Sequence, residues 1–120
     1  MNVEEIKDIA LEALDDLKGR DAITLDVRAM TDITDYMLVC TGTSNRHVKS
    51  LADNVALTLK KRGCQAMSIE GVDQTAEWAL VDFGEVIVHV MLPETRDFYD
   101  LERLWSTSPE DASAEELDNG

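Results

Sequence analysis

Apolar residues recur at steps of three and four at the start of the chain: Val3, Ile6, Ile9, Ala10, Ala13, Leu14 and Leu17, with Glu and Asp filling the gaps. That spacing puts one apolar stripe on a helix ending near Gly19. The period then drops to two, because Ile23, Leu25 and Val27 alternate with Ala22, Thr24 and Asp26 as in a half-buried strand. Residues 36–42, "YMLVCTG", are apolar almost throughout and predict a central strand covered on both faces. Ser44 is placed to cap a long helix whose stripe is Val48, Leu51, Ala52, Val55 and Leu59, closed by Lys60, Lys61, Arg62 and Gly63. Residues 64–70 read as a further strand, 78–81 and 86–92 as two more, and Pro93 opens one short helix carrying Phe98, Tyr99, Leu101, Leu104 and Trp105.

Helix, strand, strand, helix, three strands and helix predict an α/β or α+β domain, a mixed five-stranded sheet flanked by helices. At 120 residues the chain has material for one core. The folded domain is expected over residues 1–105. Residues 106–120 are mostly Ser, Asp, Glu and Ala with one Pro, too polar to offset the entropy of ordering, and are expected to form an acidic disordered tail.

The two runs in "EWALVDFGEVIVHVMLP" form a hairpin whose faces differ in character. With Phe83 and Gly84 as a two-residue loop, Trp78 stands opposite His89 and Leu80 opposite Ile87, with Met91 further along the same face. Ala79 and Val81 oppose Val88 and Val86 on the other face, small and branched side chains suited to packing under a helix. One face is a core; the other is apolar beyond what the core needs. Either the last helix covers the Trp78 face through Phe98, Tyr99 or Leu101, or part of it stays exposed as a protein-binding patch with Trp78 as anchor and Glu77, Asp82 and Glu85 as an acidic rim.

Charge narrows the partner. The net charge is −14; the tail holds five acids and no base, so the rest carries 20 acids against 11 bases. Phosphate backbones are bound through clustered Lys and Arg, so free nucleic acid is excluded and a basic protein favoured. No 18-residue apolar run exists and the N-terminus "MNVEEIKDIA" has acids where a secretory signal carries bases, so no membrane contact and a cytoplasmic location are expected. Cys40 and Cys64 lie 24 positions apart in apolar segments and read as reduced, buried thiols.

The segment 40–47, "CTGTSNRH", is a strand end, a small-residue loop and a helix start, a geometry suited to an anion. It lacks the full phosphate-loop pattern. A strand-loop-helix of this kind also occurs in nucleotidyltransferases, but the following segment "CQAMSIEG" offers only Glu70 where two metal-binding carboxylates are needed. A nucleotide-binding or nucleotidyltransferase domain using this loop is the alternative reading; no catalytic residue, metal or cofactor is assigned. His47 reads as a surface residue of the first helical turn, and His89 as a packed histidine in preference to a general base, with no Ser or Cys nucleophile near it in sequence.

Taken together, "DLKGRDAITLDV", "ITDYMLVCTGTSNRHVKSLAD", "EWALVDFGEVIVHVMLP" and "FYDLERLW" resemble the ribosomal silencing factor family, also called Iojap-like proteins, from about residue 3 to 105. The resemblance implies a fold distantly related to nucleotidyltransferases without their catalytic acids. It implies a function that is not enzymatic: binding ribosomal protein L-fourteen on the intersubunit face of the large subunit, blocking small-subunit joining and repressing translation when nutrients are scarce. The resemblance puts Trp78, Leu80, Asp82, Tyr99 and Leu101 in the partner-binding set, and the hairpin face and its acidic rim add Met91 and Glu77. Thr41, Gly42, Thr43, Ser44, Arg46 and His47 match the family's "TGTSxRH" string and are expected to brace the fold. A homodimer through a sheet edge or the Trp78 face is a further expectation.

Overall fold

The computed structural model describes residues 1–106 apart from Gln74, and only the backbone of Trp105 and Ser106. The tail expected at 106–120 thus lies outside the described residues, except for Ser106.

The elements run α1 (Val3–Asp16), β1 (Arg20–Asp26), β2 (Tyr36–Thr41), α2 (Asn45–Lys61), β3 (Ser68–Glu70), β4 (Trp78–Asp82), β5 (Val86–Met91), α3 (Pro93–Tyr99) and α4 (Leu101–Ser106). The five strands form one mixed sheet in the order β1-β2-β5-β4-β3, with β2 and β5 parallel and the other pairs antiparallel. All six residues of β2 are buried, as the apolar run of 36–42 predicts, and so are all six of β5.

The main core lies between the sheet and the two long helices. The α1 stripe of Ile6, Ile9, Ala10, Ala13 and Leu14 and the α2 stripe of Val48, Leu51, Ala52, Val55 and Leu59 meet Leu38, Ala79, Val81, Val86, Val88 and Val90. Asn2 and Glu5 form a reciprocal capping box at the start of α1, and Ser44 caps α2 by accepting from the His47 N–H. Both helices start where side chains satisfy otherwise orphaned backbone donors.

Four expectations shift. The first helix stops at Asp16, because Lys18 takes the left-handed φ of 60° and the Gly19 N–H closes on the Leu14 carbonyl at 2.8 Å. The strand expected over 64–70 shrinks to Ser68–Glu70, since the Cys64 N–H still bonds the Leu59 carbonyl at 2.8 Å as part of the α2 exit. The single last helix is two, broken at Asp100, whose φ of 47° reverses the chain between α3 and α4.

The hairpin register is the fourth. Trp78 pairs with Met91, Leu80 with His89 and Asp82 with Ile87, two residues out from the expected alignment. Phe83, 8% exposed, donates its N–H to the Val86 carbonyl and continues the ladder, so the loop is Gly84 and Glu85. Gly84 carries φ 86°, a value only glycine adopts without strain, and Asp82 Oδ1 accepts its N–H at 2.7 Å.

Candidate partner-binding surface

Because α1 and α2 lie on one side, the sheet's other face is left to the short α3 and α4. A second apolar cluster sits there: Leu25, Val27, Met37, Val39 and Met91, with Ile23, Trp78 and Leu101 partly buried against it. β1 contributes its alternating residues to this side.

The polar anchor of α3 and α4 is Arg96. Its side chain, 10% exposed, donates from Nη1 to Thr41 Oγ1 at 2.8 Å at the end of β2 and pairs through Nε with Glu102 of α4. A charged group so sheltered is held by hydrogen bonds on both sides, which fixes where the turn at Asp100 and its neighbour Tyr99 sit.

Tyr99 packs against Trp78 with ring centroids 4.7 Å apart and the rings tilted by 51°, and Phe98 meets Tyr99 edge-on at 5.0 Å. Trp78 is half-buried, while Tyr99 is 53% and Phe98 82% exposed. The last helical segment therefore covers the Trp78 face only in part and adds its own aromatics to it. Beneath, the Trp78 indole N–H donates to His89 Nδ1 at 3.0 Å. His89 is buried, and burial pushes its imidazole down to about 4.

The expected binding residues occupy several levels. Leu80 and Asp82 are half-buried on the same face as Trp78, and Glu77 and Glu85 are exposed at its margins. Leu101 is half-buried against the second cluster. Met91 is fully buried, so it supports the surface from below and presents nothing to a partner. Phe98 was expected only as a covering residue; in α3, anchored through Arg96 to Thr41, it lies exposed beside Tyr99.

Several polar groups of the segment 41–47 bond within the protein. Gly42 donates its N–H to the Met91 carbonyl at 2.9 Å, and a Cβ there would lie 2.7 Å from Val48 Cγ2. Thr43 donates its N–H to His47 Nδ1 at 2.9 Å, and His47 Nε2 donates to the Leu17 carbonyl at 2.8 Å, tying the start of α2 to the end of α1. The Thr43 and His47 N–H groups, which an anion at this helix start would recruit, are thus already satisfied, the second by Ser44 Oγ. Arg46 is exposed. His47→Phe, which keeps the ring and removes both bonds, should cost about 1–2 kcal/mol of stability in urea unfolding.

Cys40 is buried and Cys64 partly so, both as free thiols; burial pushes Cys40 up to about 11. Among the described residues no group of three or more His, Cys, Asp or Glu could hold a metal ion, and no helix is long and apolar enough to cross a membrane.

Fold and surface define an α/β domain with one face of its sheet packed by helices and the other carrying an aromatic ridge. The family described as "Ribosomal silencing factor during starvation" matches residues 1–119. The ribosomal silencing factor RsfS of Chromobacterium violaceum is 50% identical over 105 residues, 88% of this chain and 85% of that protein. RsfS of Bacillus subtilis is 38% identical over 109 residues, 91% and 92% of the two chains. A crystal structure of a Chromobacterium violaceum protein superposes with a TM-score of 0.86 at 48% identity, covering 91% of each chain. The chain belongs to the ribosomal silencing factor family, whose name denotes regulation of translation.

Proposed function

We propose that this protein docks the open face of its sheet on ribosomal protein L-fourteen of the large subunit and excludes the small subunit sterically, repressing translation without making or breaking a bond. One observation carries the reading: Trp78, Tyr99 and Phe98 form a partly exposed aromatic ridge on the sheet face that, among the described residues, carries only the short α3 and α4. Rigid aromatics over a packed base are the side chains that dominate binding energy. The exposed Glu77 and Glu85, with half-buried Asp82, give that ridge an acidic rim suited to a basic ribosomal protein. The acids of α1 belong to the helix packed on the opposite side of the sheet, away from the ridge and from the RNA that a docked domain would approach. Membership of the family supports the ribosome as the place of action.

Co-sedimentation with isolated large and small ribosomal subunits tests this. The protein should pellet with large subunits only, and less of it as salt rises, because acidic steering is screened. A protein that stays in the supernatant with large subunits at low salt would end the proposal.

A further inference from the structure

His89 makes a polar contact that the fold does not require. In the inward-facing strand β5 every other residue is apolar: Val86, Ile87, Val88, Val90 and Met91. An apolar side chain at 89 would pack between its neighbours on β2 and β4, Val39 and Leu80, and leave nothing unpaired. The imidazole does leave something unpaired. Its Nδ1 accepts from Trp78, so in the neutral ring the proton sits on Nε2, and Nε2 is buried with no hydrogen-bond partner among the described residues. A buried donor without an acceptor destabilises the folded state, and the contact set against that cost is the one to the Trp78 indole, at 3.0 Å.

That bond has a directional effect. A half-exposed tryptophan would ordinarily turn its N–H to water; here the N–H is drawn inward to a buried ring, leaving carbon at the surface and the indole set against Tyr99 at 4.7 Å. We infer that His89 is a positioning residue for docking, holding the Trp78–Tyr99 pair in its binding conformation before the partner arrives. Preorganisation of this kind raises affinity by removing the entropy of ordering side chains on association. The inference rests on the reading of this face as the docking surface.

Wild type, His89→Leu and His89→Asn separate positioning from packing. Three readouts are taken on each full-length protein: affinity for isolated large ribosomal subunits, urea midpoint, and hydrogen exchange of the Trp78 indole, its signal identified by its loss in Trp78→Phe. His89→Leu should unfold at the same or higher urea, exchange its indole proton faster and bind about tenfold more weakly. His89→Asn, whose Oδ1 can replace Nδ1 as acceptor, should unfold at lower urea yet bind within about threefold of wild type. Stability and affinity thus move in opposite directions. Binding by His89→Leu equal to wild type, or affinity that falls with stability across both variants, overturns the inference while leaving the docking surface intact. Absence of wild-type binding overturns the docking reading and removes this role with it.

Discussion

Acidification from neutrality to pH 4 should destabilise the domain by about 3 kcal/mol through His89 alone. Unfolded, the imidazole takes up a proton near 6.5; in the fold, burial holds it down to about 4. Between those values the unfolded state binds the extra proton, so stability falls as pH falls, and the loss saturates once the native ring is protonated below about 4. Carboxylates act in a lower window. The Arg28 guanidinium beside Asp26 holds that carboxyl at about 2, so its contribution is present above the ordinary value of 3.8 and is lost only below it. Urea unfolding at pH 7, 6, 5 and 4.5 reads the histidine before the acids intervene. His89→Leu should flatten the profile across that range; an unchanged slope would mean that another group is responsible.

Trp78→Ala should weaken binding to the large subunit by about 2 kcal/mol or more, roughly thirtyfold in Kd, with the domain still folded. The separation of effects follows from the layers. The principal core is built by α1 and α2 on the far side of the sheet, and Trp78 belongs to the smaller cluster on the near side, where it is only partly buried. Removing the indole takes one end from the ridge and strips Tyr99 of the ring packed beneath it. A variant that pellets normally would disqualify Trp78 as anchor. A variant that loses its cooperative urea transition would show Trp78 to be core, with its loss of binding secondary.

How far the sequence carried depended on what each pattern encodes. The stripes of α1 and α2 name the buried residues of both helices because period and burial are the same fact on a helix. The hairpin shows the limit. Its pairing is two residues away from that expected for a Phe83-Gly84 loop, yet every side chain lies on the expected face, since a slip of two is one full period of a strand. Face patterns are blind to such a slip; the position of Gly84 and the burial of Phe83 decide it. The expected register already set Trp78 beside His89; the slip moves it from the directly opposite to the diagonal position, and the 3.0 Å bond forms across that diagonal. In the 41–47 segment His47 spans to the Leu17 carbonyl, 30 positions away, a contact that no local pattern announces. Met91 was placed on the correct face at the wrong depth, because a period-two pattern gives side and not cover.

The parallel pairing at the centre of the sheet also governs when the protein can form. Tyr36 of β2 meets Val86 of β5, 50 residues later, and β5 separates β2 from β4. Until residue 91 is available there is no central strand, and α1, β1, β2 and α2 have only half a sheet on which to close. Loop-closure entropy must be met before that contact repays it, which places the domain among slow folders for its size. During synthesis the chain leaves the ribosome with its apolar strand β2 waiting for β5, so the interval between their emergence is when it is most open to aggregation.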